Sequence, residues 1–326
     1  MRILFIADLE SGWLWTDELY KGVRSAAGDE FDVTAFKINE PPEPQFEGID
    51  VVVDEGSFGG RTDLVEMAHA ADVKLWQCLA NGIDHVDVAT FRRLKFPLAN
   101  TSGTLSGIAL AEHAMFLMLS FARKYAEHET SIQKRAICDP VCTELSKATL
   151  GIVGLGASGR ELATRAAAFG MKILGVEPME IEKETLAELG IESVVKPGQL
   201  GEILPEVDYL SIHVPLAEET RHLIDKKALE LMKPSSVLIN VARGPIVDED
   251  ALLEVIQAGR IRGAGLDVFA NEPVEPEHPL LQLDNVLVTP HIAGVTTGTA
   301  RRRGEAAVEN IQRLVRGEPL SFLVVP

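Results

Sequence analysis

Short runs of β-branched and aromatic residues alternate along this chain with segments of helical character, and that alternation leaves few architectures open. In the first third, RILFIA, FDVTAF, VVVDE and KLWQCL read as strands. Residues 17–27 and 64–71 suit helices between them, and Pro41, Pro42 and Pro44 mark a surface connection. A second series starts at Thr149: TLGIV as a strand, 160–169 as an alanine-rich helix stopping at Gly170, MKILGV as a strand, and 183–189 as a helix stopping at Gly190. VDYLSIHV, SSVLINVA, IRGAGLDV and NVLVTP add four strands. Helices fall at 226–232 and 250–258, the latter capped by Asp248, and a last helix runs over about 299–315 to Gly317. The pattern predicts an α/β fold with two parallel-sheet units, which 326 residues can hold.

Composition narrows the function classes. With 46% hydrophobic and 25% charged residues, the chain has the make-up of a globular protein with ample core. A formal net charge of −18 argues against nucleic acid or an anionic membrane as partner, because phosphates would be repelled over most of the surface. A small anionic substrate stays open, since a few arginines can dominate one cleft.

Cys78, Cys138 and Cys142 cannot all pair, and no His stands near Cys138 and Cys142 to complete a metal site. Ordinary thiols in a reducing cytoplasm are expected. The N-terminus MRILFIADLE reads as a buried strand entering an acidic loop, not as a signal peptide. Residues 105–122 are apolar enough to raise the question of a membrane span. Glu112 and His113 near the middle favour a buried helix packed on another subunit or domain.

Gly154, Gly156 and Gly159 form G-x-G-x-x-G immediately after TLGIV and at the start of a helix. The first glycine permits a tight turn, the second lets backbone approach a pyrophosphate, and the third lets helix pack on strand. Amides at the helix start would face the phosphates, and Ser158 offers a hydroxyl. Glu177 ends the next strand, where an acid accepts hydrogen bonds from the adenosine ribose and repels a 2′-phosphate. The cofactor expected is therefore NAD rather than NADP. A glycine-rich turn beside an incidental glutamate is the plainer alternative, but strand, turn, helix, strand and acid occurring in order speak against it.

Three charged residues follow at predicted strand ends: Arg243 after SSVLINVA, Glu272 after GAGLDVFAN, and His291 after NVLVTP. In an open parallel sheet the carboxyl ends of the strands form the ligand crevice. Taken singly, each has an ordinary structural explanation: an ion-pair partner, a solvated acid, a satisfied imidazole. Together, behind a nucleotide fingerprint, they point to acid–base chemistry beside a cofactor.

With GLGASG, HVPLAEET, INVARGPIVDEDAL, GAGLDVFANEP and TPHIAG in that order, and NGIDHVD earlier, the chain resembles the D-isomer-specific 2-hydroxyacid dehydrogenase family over nearly its whole length. The resemblance implies two Rossmann-like, doubly wound parallel-sheet domains. A dinucleotide-binding domain, 100–292, is inserted into a flavodoxin-like substrate domain, 1–99 and 293–326. It implies that Arg243 grips the substrate carboxylate and polarises its carbonyl, a forked contact suited to guanidinium. It implies that His291 is the acid–base group and that Glu272 orients it and favours its protonated form.

By the same resemblance, Asp267 contacts the nicotinamide carboxamide, and His213, Val214 and Pro215 belong to a segment along the nicotinamide ribose. Val241 and Ala242 line that cavity through backbone, Ala157 lies in the phosphate loop, and Ala80, Asn81 and Gly82 form a loop whose amides bind the substrate carboxylate. A two-fold homodimer is implied too.

There are departures from the family pattern. Ala157 and Ser158 stand where many members have a bulkier pair, the usual glycine before the nucleotide domain's first strand is replaced within CTELSKATLG, and Thr101-Ser102-Gly103 replaces T-P-G. Formate-oxidising relatives carry Gln where this chain has Glu272, which speaks against formate. Glyoxylate- or hydroxypyruvate-like, D-lactate-like and 3-phosphoglycerate-like acids remain as substrates. Trp13 and Trp15 either overhang the cleft or pack at the start of the next helix. Arg301, Arg302 and Arg303 either form a solvated face or meet a substrate phosphate. The alternative from another class is an NAD(H)-sensing, corepressor-like binding protein without significant turnover.

Overall fold

The computed structural model describes residues 1–9, 13–56, 61–83 and 86–326. The chain divides into two compact units, Met1–Leu105 with Val295–Pro326, and Ser106–Gly294.

In the first unit, β1 (Arg2–Ile6), β2 (Asp32–Ala35), β3 (Val51–Asp54), β4 (Leu75–Cys78), β5 (Leu98–Ala99) and β13 (Leu323–Val325) form one sheet in the order β13-β5-β4-β3-β1-β2. All neighbours are parallel except β13, which runs antiparallel on β5. Both faces are covered. Helices Leu14–Ala27 and Thr297–Arg316 pack on one through Leu19, Val23, Ala300, Ala307 and Ile311. Helices Thr62–Ala70 and Val88–Leu94 pack on the other through Leu64, Val65, Ala68 and Phe91. A strand buried on both sides needs an unbroken apolar run, which is what VVVD and LWQC provide.

The second unit holds β6 (Thr149–Val153), β7 (Lys172–Val176), β8 (Ile191–Val195), β9 (Tyr209–Ile212), β10 (Val237–Asn240), β11 (Gly263–Leu266) and β12 (Val286–Val288). They form a fully parallel sheet in the order β12-β11-β10-β9-β6-β7-β8. The order reverses between β6 and β9, so connections leave to opposite faces there and a crevice opens at the strand carboxyl ends.

Helix Thr104–Ala122 and helix Ala157–Ala168 build the core on one face with Leu150, Ile152, Ile173 and Ile239. Helices Lys226–Leu231 and Glu249–Gln257 build the other. Thr104–Ala122 is long and apolar enough to cross a membrane by length and composition, yet 61% of that stretch is buried inside the fold. Its buried side chains, among them Ala111, Ala114, Met115 and Met118, face the sheet as those of a core helix do. Asp248 caps its helix by accepting from the Ala251 amide, and Gly317 ends the last helix at φ 67°.

Candidate active site

The turn after β6 passes through Gly154 at φ +96°, where an added Cβ would stand 2.7 Å from Val214 Cγ1 and 2.8 Å from the His213 carbonyl oxygen. Gly159, one turn into the helix, lies so close that its Cβ would be 2.0 Å from the Gly154 carbonyl oxygen. Any larger residue would push helix off strand. Gly156, the residue capping the helix, is different: among the described residues a Cβ there meets no atom within 4 Å. Open space therefore lies against the first turn of a helix whose initial amides have no partner within it, a fit for a dinucleotide's pyrophosphate.

Ser158 does not simply face that space. Its hydroxyl lies 3.0 Å from His213 Nδ1, and Ser211 Oγ lies 2.9 Å from Nε2. Burial pushes the His213 imidazole down to about 3, so the ring is neutral, with one nitrogen donating and the other accepting. His213 thus ties the glycine loop to β9 by its side chain. Beyond it, Val214 and Pro215 lead out of the strand to a more open position.

Glu177, after β7, is drawn against the same loop: its Oε2 accepts from the Leu155 amide at 2.8 Å and its Oε1 from the Met179 amide at 3.2 Å. Each carboxylate oxygen keeps a second lone-pair direction for a ribose hydroxyl. Glu177→Gln keeps one acceptor for Leu155 and removes the charge. It is expected to raise the NADPH-to-NADH ratio of kcat/KM by about tenfold or more, since one lost repulsion at short range outweighs 1.4 kcal/mol. An unchanged ratio in steady-state assays would count against this role.

Arg243 follows β10 in a turn built by Asn240. This buried amide donates from Nδ2 to the Arg243 carbonyl at 2.9 Å and accepts the Ala242 amide at 3.0 Å. Arg243 Nη1 donates to the Ala242 carbonyl at 2.8 Å, so both backbone groups of Ala242 are engaged, and Val241 and Ala242 are buried. Gly244 then lies directly on the backbone after β11: a Cβ would be 1.9 Å from the Phe269 carbonyl carbon and 2.3 Å from the Ala270 nitrogen. That contact brings the Arg243 turn against the segment that carries Glu272.

Glu272 accepts the Phe269 amide on Oε1 at 2.8 Å and faces His291 Nδ1 from Oε2 at 2.7 Å. Burial alone would raise the Glu272 carboxyl. The hydrogen bonds from His291 and Phe269, and the charges of His291 and Arg243, outweigh burial and hold it below the usual glutamate range. An ionised carboxylate only accepts, so Nδ1 carries the proton of this bond and Nε2 is the nitrogen left to exchange one. Glu249 supports the same segment, accepting the Ala270 amide at 2.6 Å.

His291 sits at φ +53°, an unfavourable backbone region for a residue with a Cβ. Its amide donates to the Asp267 carbonyl at 2.8 Å. The Asp267 carboxylate, only 1% exposed, accepts Thr289 Oγ1 at 2.6 Å and the Ile292 and Ala293 amides, each at 2.8 Å. Asp267 therefore anchors the loop bearing His291, a role the sequence alone does not reveal. Arg243, Glu272 and His291 converge at the carboxyl ends of β10, β11 and β12, with Gly154, Glu177 and His213 at the ends of β6, β7 and β9 on the same rim.

In the first unit, Ala80, Asn81 and Gly82 follow the carboxyl end of β4, and the Asn81 carbonyl is held by Asn100 Nδ2 at 2.8 Å. Asp84 and His85 of NGIDHVD lie outside the described residues. Trp13 is 63% exposed at the head of helix Leu14–Ala27. Trp15 is partly buried against the first unit's core, with the Arg303 guanidinium 5.8 Å above its ring. Arg301 pairs with Glu305 at 2.8 Å, and Arg302 donates to the Leu105 carbonyl at 2.8 Å.

Residues 115–293 match the family described as D-isomer specific 2-hydroxyacid dehydrogenase, NAD binding domain. A D-3-phosphoglycerate dehydrogenase of Methanocaldococcus jannaschii is 36% identical over 82% of this chain, which spans only 50% of that protein. A hydroxypyruvate reductase of Thermotoga maritima is 37% identical over 81% of this chain and 84% of its own length. The crystal structure of D-lactate dehydrogenase from Aquifex aeolicus complexed with NAD and lactic acid superposes with a TM-score of 0.78 at 26% identity, over 99% of both chains. By these matches the chain belongs to the D-isomer specific 2-hydroxyacid dehydrogenases, a family of NAD-dependent oxidoreductases.

Proposed function

We propose that this chain reduces a small 2-oxo acid to its D-2-hydroxy acid with NADH, and catalyses the reverse oxidation. The observation that carries this reading is the 2.7 Å contact of His291 with Glu272, with the Arg243 charge close enough to stabilise that carboxylate. Bound nicotinamide supplies or accepts the hydride. Arg243 binds the substrate carboxylate and draws electron density from its carbonyl oxygen. As the carbonyl carbon takes the hydride, its oxygen takes the proton from His291 Nε2, so a ketone becomes an alcohol with no charge left on oxygen. Glu272 keeps the ring oriented and compensates the charge on imidazolium. Asp267, through its anchored loop and its carboxylate, serves the nicotinamide end, and the first unit, with Ala80, Asn81 and Gly82, is the substrate domain.

Glyoxylate, hydroxypyruvate, pyruvate and 3-phosphohydroxypyruvate are the substrates to test, with NADH oxidation followed in steady state. Turnover of at least one is expected. NADH binding with no turnover of any, bulkier 2-oxo acids included, would favour a nucleotide-sensing protein instead.

The working form we propose is a homodimer in the cytoplasm, where its free thiols at Cys78, Cys138 and Cys142 stay reduced. Phe116 is 50% and Phe169 45% exposed. With Met115, Leu119 and Tyr125 they line an apolar hollow flanked by Arg123, Arg165 and Glu112. Such a patch suits a self-complementary two-fold contact. Sedimentation at twice the chain mass is expected, with Phe116→Glu shifting it to monomer; a wild-type monomer would remove the dimer.

A further inference from the structure

His113 stands in the middle of the apolar helix Thr104–Ala122 and has no place in the chemistry above. Its side chain is 13% exposed, and Nε2 lies 2.9 Å from Thr289 Oγ1 and 3.6 Å from Asp267 Oδ1. Asp267 accepts the Thr289 hydroxyl, so that hydroxyl has spent its proton and offers His113 only a lone pair. The proton between them therefore belongs to Nε2. One direction of donation runs through the chain: His113 Nε2–H to Thr289 Oγ1, and Thr289 O–H to Asp267 Oδ1. From Asp267, the Ile292 and Ala293 amides and the His291 amide on its carbonyl complete the hold on the loop.

We propose that His113 is a positioning residue for the proton donor: its Nε2–H fixes the Thr289 hydroxyl, which fixes Asp267, which holds the loop that presents His291. Burial lowers the imidazole from its usual value, against the opposing pull of Asp267, and keeps the ring uncharged. A neutral ring supplies the donor without neutralising the carboxylate that anchors the loop. Phe116, with its ring 5.6 Å from that of His113, closes one side of the site. The catalytic part of the inference rests on the reading of His291 given above; the hold on the loop does not.

The test compares His113→Ala, His113→Gln, Thr289→Val and the Ala–Val double variant with the full-length wild type. Amide hydrogen exchange over 286–294 reports on the loop without requiring turnover. His113→Ala is expected to speed exchange at Ile292 and Ala293 about tenfold, and His113→Gln, which restores a donor of similar reach, to recover most of the protection. Thr289→Val should match His113→Ala, and the double variant should add no more than about twofold, because both remove one chain of bonds. In parallel, kcat should fall about tenfold while the Kd for NADH stays within about twofold. Unchanged exchange in either single variant, or fully additive effects, overturns the proposal. Should His113→Ala fail to fold, Thr289→Val, nearly isosteric, decides it alone. Altered exchange in a chain that turns over no 2-oxo acid would sink the enzymatic reading and leave the hold on the loop standing.

Discussion

His291→Ala is expected to lower kcat for 2-oxo acid reduction by about 10²–10⁴-fold while leaving the Kd for NADH within about twofold, the range a positioned general acid contributes. The effect originates at Glu272. It is ionised well into acid because His291, Phe269 and Arg243 outweigh its burial, so it fixes the proton on Nδ1 and turns Nε2 toward exchange. With the imidazole gone, water must protonate the developing alkoxide, while the glycine loop and Glu177 are untouched. Because Glu272 lies below its unfolded value, its contribution to stability is complete above that value and is lost as pH falls through the lower, folded one. Single-turnover and equilibrium fluorescence measurements separate the two effects. Near-normal turnover would show that another group donates the proton.

Gly244→Ala is expected to be among the most damaging single-methyl additions in the chain. All three nearest atoms to the new carbon, at 1.9, 2.1 and 2.3 Å, are main-chain atoms of Phe269 and Ala270, which no rotamer change can move aside. The Arg243 turn and the Glu272 segment must separate. A cost of about 3 kcal/mol or more follows, lowering the Tm of this unit by roughly 6–12 °C. Activity should fall further, because the guanidinium leaves the carboxylate it stabilises. Gly156→Ala is the contrast: its added carbon meets nothing within 4 Å among the described residues, so Tm should hold within about 2 °C while NADH binding weakens. Equal melting temperatures for Gly244→Ala and wild type by calorimetry would refute the packing argument.

The strands most legible in the sequence were those with helices on both faces. TLGIV, VLIN and YLSI are buried at every position, and burial on both sides demands an apolar run. Ile191–Val195 carries no such mark: it lies at the sheet edge with Glu192 and Ser193 exposed, so its sequence shows no strand signal. Leu98–Ala99 and Leu323–Val325 are too short to show a period, and they pair only through a return from the far end of the chain. The helix start beside Asp248 was legible from its cap, which accepts the Ala251 amide; Asp225 and Thr296 cap their helices in the same way, and the last helix begins at 297, two residues before the expected 299.

The site divides in the same way. Arg243, Glu272 and His291 were visible because each follows an apolar run and so stands at a strand end. Gly154, Gly156 and Gly159 were visible because backbone geometry fixes their spacing. Asn240, Gly244 and Thr289 were not, since what they do depends on partners brought close only by folding. His113 is the extreme case, 176 positions from the hydroxyl it meets. His213 shows a different gap: its segment suggested a cofactor wall, whereas its ring is consumed by Ser158 and Ser211.

The most direct measurement is chiral chromatography with mass spectrometry of the product formed from pyruvate or hydroxypyruvate and NADH carrying deuterium at both C4 positions. A D-2-hydroxy acid carrying one deuterium, located at C2, is the expected result for wild type. An unlabelled hydroxy acid, or the L-enantiomer, would contradict direct hydride delivery to a carbonyl held by Arg243 and protonated from His291.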